Sequence, residues 1–169
     1  MPHPRIRPAI YTDLTPLIRY FGQADFFFER FHRQRRGRGV LLIAVRGGDV
    51  VGNVYLWWEP AEEPELREWL PGVPVITHLE VRADQRNQGV GTALLAEAER
   101  VLAQRGHRHV ALGVSLTNPD ARRLYARLNY VEWAHPPVRM PGEIFQVLVK
   151  PLARPCPTGR PGPRSGRGG

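Results

Sequence analysis

A glycine-rich turn between a strand and a helix constrains the fold of this chain more than any other feature. Residues 86–91 read Arg-Asn-Gln-Gly-Val-Gly. The preceding segment, 75–81, is apolar enough for a central strand. The following segment, 89–105, repeats its apolar residues at helical spacing and stops at Gly106. A helix N-terminus carries free N–H groups and a partial positive charge, so the turn indicates a phosphate-binding site.

Two other phosphate motifs do not fit this turn. A P-loop needs a Lys-Ser/Thr pair after its glycines, and none follows here. A dinucleotide fingerprint needs a third glycine where Leu94 stands. The alternative to a phosphate site is a loop whose glycines serve only to turn the chain, and the strand-turn-helix context favours phosphate.

The remaining periodicities predict a mixed α/β domain of order β-α-α-β-β-β-α-β-α-β-β. A Glu- and Pro-rich insertion, 59–74, interrupts it and is predicted to contain one helical turn around Leu66 to Leu70. The predicted strands are 5–11, 40–46, 50–58, 75–81, 109–115, 130–133 and 144–149, and the predicted helices are 12–21, 24–35, 89–105 and 119–128.

Two motifs, in order and at the right spacing, resemble the GNAT superfamily of acyl-CoA-dependent N-acyltransferases. The first is Leu-Glu-Val-Arg-Ala-Asp-Gln-Arg-Asn-Gln-Gly-Val-Gly at 79–91, and the second is Asn-Pro-Asp-Ala-Arg-Arg-Leu-Tyr-Ala-Arg-Leu-Asn-Tyr at 118–130. The resemblance covers about 1–150 and implies a mostly antiparallel central sheet flanked by helices, with parallel, splayed fourth and fifth strands. The family usually has Gly where this chain has Asn129, the best non-Gly residue for a left-handed turn.

The resemblance implies a role for each matching residue. Asn118 would lie beside the cofactor, although Asn before Pro119 is also an ordinary helix N-cap. Tyr125 would protonate the departing CoA thiolate, and a core tyrosine is the alternative. The cofactor-binding backbone would come from Leu79 and Val81, which pair with the pantetheine arm, and from the pyrophosphate-holding residues Arg86, Asn87, Gln88, Gly89, Val90, Gly91 and Thr92.

The base that deprotonates the acceptor amine is less clearly marked. Relatives that use a strand residue place it at the positions of Val75 or Thr77, which cannot act as bases. Strand alternation predicts that 76, 78 and 80 share one face and that 75, 77, 79 and 81 share the other. We predict Glu80 as the catalytic base candidate, with His78, an acid from 59–68 or a water relay as alternatives, and a structural role as the other interpretation of Glu80.

The predicted acceptor site is aromatic and acidic. In this fold the acceptor site is formed largely by the first two helices and the loop after the third strand. Aromatic faces and carboxylates attract cationic amines, which predicts a small amine as acceptor, with a protein N-terminus or lysine as alternative. The aromatics could equally belong to the core, and the glutamates to a solvated loop. The residues concerned are Phe26, Phe27, Phe28, Trp57, Trp58 and the acids within Glu59 to Glu68.

The predicted reaction is direct transfer from acetyl-CoA in a ternary complex, without a metal. The one cysteine, Cys156, lies outside the motifs, which argues against an acyl-enzyme and excludes a multi-cysteine zinc site. A non-catalytic acyl-CoA-binding module is the second class. The five arginines between Arg30 and Arg38 are interpreted as a solvated helix end, with an anionic partner or the 3′-phosphate of CoA as alternatives.

The charge of the chain divides at residue 150. The chain has 24 basic and 16 acidic residues, a formal net charge of +8. Residues 151–169 contribute four arginines and no acid, and their composition predicts a disordered tail after a 1–150 acetyltransferase domain. No DNA-binding pattern accompanies the charge, so no specific nucleic-acid partner is predicted. Without a signal peptide or membrane-length apolar run, a cytoplasmic location is expected. Because GNAT relatives often form dimers, a homodimer is one arrangement open to the chain.

Overall fold

The computed structural model describes residues 2–140 and 142–153. Their backbone forms one sheet of order β1-β2-β3-β4-β5-β8-β6, with β7 paired to β8. The strands are β1 Arg5–Pro8, β2 Gly39–Arg46, β3 Asp49–Trp57, β4 Val75–Val81, β5 His109–Ser115, β6 Val131–Glu132, β7 Val138–Met140 and β8 Glu143–Pro151. The helices are α1 Leu14–Phe21, α2 Ala24–Arg35, α3 Pro64–Trp69, α4 Val90–Gln104 and α5 Pro119–Arg127.

The predicted fold class is confirmed by the strand pairing. Every strand pair of the described sheet is antiparallel except β4 with β5. These two strands pair only where Val75 faces Ala111 and Ile76 faces Leu112. Beyond those residues they separate, as the splayed arrangement requires, and a cleft opens between them.

A β-bulge in β4 changes which side chains share a face. Asn53 pairs with Glu80 and Tyr55 pairs with Thr77, so two residues of β4 lie opposite Val54. His78, at the bulge, has a left-handed backbone with φ of +53°. The predicted alternation along this strand is therefore wrong beyond Thr77, because strict period-2 spacing assumes a strand without an inserted residue.

The bulge directs the end of β4 to both sides of the sheet. Leu79 and Val81 join Ile76 in the core beneath α4 and α5. His78 instead contacts the rings of Phe26 and Phe27 on α2. Beyond Thr77, β4 thus places apolar side chains on the α4 face of the sheet and polar side chains on the α2 face.

Each face of the sheet carries its own apolar core. On one face, α4 buries Leu94, Leu95, Ala98 and Leu102 against the central strands, as its helical apolar stripe predicts. On the other face, Leu17 of α1 and Phe27 of α2 pack on β2 and β3.

The predicted turns match the structure closely. Asn129 takes a φ of +66° after α5, the left-handed backbone expected of it. Gly106 follows α4 with a φ of +89°. The strand β7 was not predicted, because three residues between prolines and glycine give no periodic signal.

Part of the predicted tail belongs to the described residues. Pro151 ends β8, and the N–H of Leu152 donates to the carbonyl of Arg108 at 2.8 Å. Residues 154–169, including Cys156, lie outside the described residues. Within the described ranges, none of the helices has the length and apolar character needed to cross a membrane.

Candidate active site

A cleft of about 1300 Å³ follows the separation of β4 from β5. One end is formed by the start of α4 and by α5, and the other by α2 and the segment between β3 and β4. All predicted catalytic and cofactor-binding residues except Gln88 line this cleft: Leu79, Glu80, Val81, Arg86, Asn87, Gly89, Val90, Gly91, Thr92, Asn118 and Tyr125.

The loop before α4 presents free backbone donors to the cleft. The first hydrogen bond of α4 runs from the N–H of Ala93 to the carbonyl of Gly89 at 3.0 Å, so the N–H groups of residues 90–92 have no acceptor in the helix. The N–H of Arg86 donates to the carbonyl of Ala83 at 3.5 Å. Asn87 and Gly89 have φ of +57° and +79°, which turns the chain into the helix. The partial positive charge of the helix start adds to these donors and suits an anionic ligand.

The two glycines of the loop act differently. A Cβ at Gly89 would meet nothing within 4 Å, so this glycine serves the left-handed backbone and leaves open space above it. A Cβ at Gly91 would lie 3.5 Å from Leu124 Cδ2, an ordinary contact with α5. Gly89 therefore leaves the loop backbone uncovered, whereas a side chain at position 91 would face α5.

Arg46 holds the loop to the sheet, and sequence reasoning missed it. Its Nη1 donates to the side-chain oxygens of Gln85 and Gln88, both at 2.9 Å. Its Nη2 also donates to the Gln88 carbonyl at 3.3 Å. Gln88 thus helps to hold the loop against β2 through Arg46. An arginine at the end of a strand gives no sequence signal for a contact about forty residues away.

The edge of β4 next to β5 is available beyond Ile76. Pairing with β5 ends there, so the backbone of Leu79 to Val81 faces the cleft without a strand partner on that side. An extended ligand can therefore pair with this edge as a strand would. At the far side, Asn118 caps α5, with its Oδ1 accepting from the N–H of Ala121 at 3.0 Å. Asn118 is thus both the ordinary N-cap and a lining residue of the cleft.

Tyr125 places a phenol at the cleft. Its side chain is 7% exposed, and its ring meets that of Tyr130 edge-on at 5.7 Å. Burial raises the pKa of Tyr125 to about 12, so it is protonated at neutral pH. Within the described residues no group hydrogen-bonds its hydroxyl, which leaves the O–H free to donate to a ligand in the cleft.

His78 and Glu80 form a polar pair on the α2 side of the cleft. His78 Nε2 lies 3.1 Å from Glu80 Oε2. The Phe26 ring packs 4.0 Å from the imidazole, centroid to centroid. Burial lowers the pKa of His78, Glu80 opposes this effect and Arg30 adds to it, so the imidazole is neutral at neutral pH. A neutral imidazole beside a carboxylate can accept and pass on a proton.

The predicted aromatic acceptor site is only partly present. Trp57 lines the cleft, and Phe26 lies behind His78. Phe27 is fully buried in the core, Phe28 is half exposed, and Trp58 packs on the opposite face of the sheet. Three of the five aromatics therefore have structural or surface positions. A run of phenylalanines on a helix must point in several directions, and consecutive residues at the end of a strand point to opposite faces.

The acidic segment and the basic cluster meet each other. Arg33 bonds to both Glu29 and Glu59, and Arg38 lies 3.6 Å from Glu59. Glu62 and Glu63 line the cleft. The acidic charge predicted for the acceptor site is thus partly neutralised by Arg33 of α2 and by Arg38 of the turn after it. The arginine cluster is therefore more than a solvated helix end.

The sequence matches the model of a family described as the Acetyltransferase (GNAT) family over residues 7–130. No curated protein sequence matches this chain. Solved structures do share its fold, and an N-acetyltransferase from Staphylococcus aureus Mu50 superposes with a TM-score of 0.72 and 16% identity, covering 90% of this chain and 100% of that one.

Two further neighbours have informative names. PaiA N-acetyltransferase from Thermoplasma acidophilum, solved in complex with coenzyme A, has a TM-score of 0.69 and 15% identity over 88% of this chain and 99% of that one. The ribosomal-protein-S18-alanine N-acetyltransferase from Escherichia coli has a TM-score of 0.67 and 18% identity over 93% and 99%. At these identities the structures show a common fold, while the family match covers most of the chain. The chain therefore belongs to the GNAT family and is an acyl-CoA-dependent N-acyltransferase.

Proposed function

We propose that this protein transfers the acetyl group of acetyl-CoA directly to the primary amine of a small molecule. The observation that carries the proposal is one cleft that joins a phosphate-binding loop, a free phenol and a carboxylate–imidazole pair. These groups meet the needs of the reaction in order: holding the donor, assisting the leaving thiolate and removing a proton from the amine.

Donor binding would use the backbone. The N–H groups of residues 86–92 would hold the pyrophosphate at the start of α4. The free edge of β4 at Leu79 and Val81 would pair with the pantetheine arm, and Asn118 would flank it. The cleft volume and the open space above Gly89 fit such an extended anionic molecule.

Tyr125 would assist the leaving group. Acetyl-CoA supplies the acetyl group as a thioester, whose C–S bond breaks as the amide forms. A phenol with a pKa of about 12 is a weaker acid than a thiol of pKa about 8.5. Tyr125 would therefore stabilise the thiolate by donating a hydrogen bond as negative charge develops on the sulfur. Full transfer of the phenol proton to the sulfur is not required.

Glu80 would take the amine proton, with His78 sharing it. The side chain of Glu80 is about one-third exposed and lines the cleft, so an incoming ammonium can reach it. The bulge at His78 supports this role, because it turns the carboxylate to the α2 side, which the sequence assigns to the acceptor. Direct transfer is favoured because Cys156, the chain's one cysteine, lies outside both sequence motifs.

The acceptor would enter between α2 and the segment after β3. Glu62 and Glu63 there favour a positively charged amine. Protein amines are the second candidate, because fold neighbours from Escherichia coli and Brucella melitensis are named for acetylating a ribosomal-protein alanine. A cytoplasmic location, the lack of a nucleic-acid partner or metal, and a homodimer stay predictions.

An acceptor panel tests the proposal. Release of CoA thiol from acetyl-CoA would be measured with small amines, amino acids, peptides with free N-termini and lysine peptides. Turnover on small molecules supports the proposal, and activity on peptides alone would replace it with protein acetylation. CoA binding without turnover on any amine would leave a non-catalytic acyl-CoA-binding module.

A further inference from the structure

Arg30 brings a positive charge to the acceptor end of the cleft. It projects from α2 and lines the cleft together with Trp57 and His78. The other arginines that line the cleft, Arg86, Arg123 and Arg127, come from the phosphate loop and α5. Arg30 is therefore the one arginine among the described lining residues that lies on the acceptor side.

Three aromatic rings hold the guanidinium in place. Its Cζ lies 4.9 Å from the ring centre of Phe26, 5.1 Å from that of Tyr55 and 4.9 Å from that of Trp57. The side chain is 17% exposed, and its Nε is buried without an acceptor among the described residues. Packing on rings covers the faces of a guanidinium and leaves its N–H edge for an oxygen acid, in the planar geometry that suits a carboxylate.

The charge of Arg30 is only partly compensated by its neighbours. Its carboxylate partner is Glu29, 3.0 Å away, which is about half exposed to solvent. Glu29 also forms a salt bridge with Arg33, and Arg33 forms a second salt bridge with Glu59. A solvent-exposed carboxylate divided between two arginines leaves Arg30 able to bind a second anion.

The proton-accepting pair lies close to this arginine. The Phe26 ring contacts both Arg30 and His78: its centre lies 4.9 Å from Arg30 Cζ and 4.0 Å from the centre of the His78 ring. One small molecule can therefore reach Glu80 with an ammonium group and Arg30 with an anionic group. The influence of Arg30 on the pKa of His78 agrees with this proximity.

We propose that Arg30 binds a carboxylate of the acceptor, so that the preferred acceptors are small amines that carry a carboxylate, such as amino acids. This inference rests on the proposed function and narrows its substrate class. Glu62, Glu63 and Glu80 present negative charge and Arg30 presents positive charge in the same end of the cleft, an arrangement complementary to a zwitterion.

The test compares matched acceptors on the full chain. Values of kcat/KM would be measured for amino acids, for the amines left when their carboxylate is removed, and for aminoalkyl phosphates of similar length. For the wild-type protein, kcat/KM is expected to be roughly 10- to 100-fold higher for the amino acid than for its decarboxylated amine, mainly through a lower KM. This is the difference expected from one charge-assisted bidentate hydrogen-bonded pair.

Variants locate the source of the preference. In Arg30→Gln the ratio between amino acid and decarboxylated amine is expected to approach one. Arg35→Gln is the control, because Arg35 lies exposed on the same helix outside the cleft, and it should keep the wild-type ratio.

Several outcomes would overturn the inference. A wild-type preference for the decarboxylated amine or for the phosphate would contradict the carboxylate assignment without use of any variant. If the ratio of kcat/KM between amino acid and decarboxylated amine is unchanged in Arg30→Gln, another residue binds the carboxylate. Absence of acetylation for every amine would overturn the proposed function itself, and the inference with it.

Discussion

His78 Nε2 and Glu80 Oε2 lie 3.1 Å apart on the α2 side of the sheet, and a β-bulge in β4 turns both residues to that side. In a regular strand, His78 and Glu80 would share a face with Ile76, and both side chains would lie beneath α4. The inserted residue instead brings a carboxylate and an imidazole to the side where the acceptor is expected. The proposed proton-accepting site thus depends on one local departure from strand geometry.

Replacing Glu80 tests whether this pair removes the amine proton. Glu80→Gln keeps the size of the side chain and removes its basicity, so kcat is expected to fall by at least about 100-fold. The control is Glu97→Gln, because Glu97 pairs with Arg100 on α4 away from the cleft. Equal activity of the two variants would assign the proton transfer to another group.

The titration of His78 gives a second test that does not depend on turnover. Burial holds its pKa below the ordinary value of 6.5, and Glu80 works against that shift. In Glu80→Gln the His78 pKa should therefore fall further. Because the unfolded chain takes up this proton first, the contribution of His78 to stability is present above pH about 6.5 and is lost as the pH falls below it.

Histidine NMR across this pH range measures the shift directly. A His78 pKa above 6.5 would mean that burial does not dominate the environment of the imidazole. A pKa that does not fall in Glu80→Gln would mean that the two side chains do not interact as the structure shows.

Tyr125→Phe removes the free hydroxyl and leaves the packed ring. We expect kcat to fall by about 10- to 100-fold, with the Kd for CoA little changed, because the phenol acts on the departing sulfur. Since the pKa of Tyr125 is about 12, its deprotonation should produce no loss of rate up to pH 10. Tyr11→Phe serves as the control, since Tyr11 is 71% exposed. Full activity of Tyr125→Phe would remove the residue from the mechanism.

Gly89 and Gly106 form a matched pair at the two ends of α4. Both have positive φ, and a Cβ at either would meet nothing within 4 Å. Each Gly→Ala change should therefore cost about 1 kcal/mol or more of unfolding free energy through backbone strain. Only Gly89→Ala should weaken CoA binding, by about 10-fold, because only Gly89 lies in the phosphate loop.

Thermal unfolding and CoA titration of both variants separate the two effects. Equal CoA affinities would show that the loop conformation at Gly89 is unimportant for the pyrophosphate.

Local patterns predicted the helices and turns well. Helix α2 spans the predicted 24–35, and the left-handed positions at Asn129 and Gly106 follow from residue chemistry that acts within one turn. The fold class followed from two motifs whose spacing is fixed by a strand, a loop and a helix. The family match and the solved neighbours confirm it.

Long-range relations account for what the sequence did not reveal. The bulge at His78 is specified by pairing with β3, which no period-2 pattern records. Arg30 and Arg33 were indistinguishable from other arginines of a basic helix end. Their partners Trp57 and Glu59 come from β3 and the segment after it, more than twenty residues away. Phe27 and Phe28 differ from Phe26 only in the direction each takes on the helix.

The most direct test of the account is a crystal structure of the protein with CoA and an amino-acid acceptor bound together. We expect the pyrophosphate on the N–H groups of residues 86–92 and the sulfur within hydrogen-bond reach of the Tyr125 hydroxyl. We also expect the acceptor nitrogen to face Glu80 and the carboxylate to lie on Arg30. A CoA sulfur remote from Tyr125, or an acceptor nitrogen that faces neither Glu80 nor His78, would contradict it.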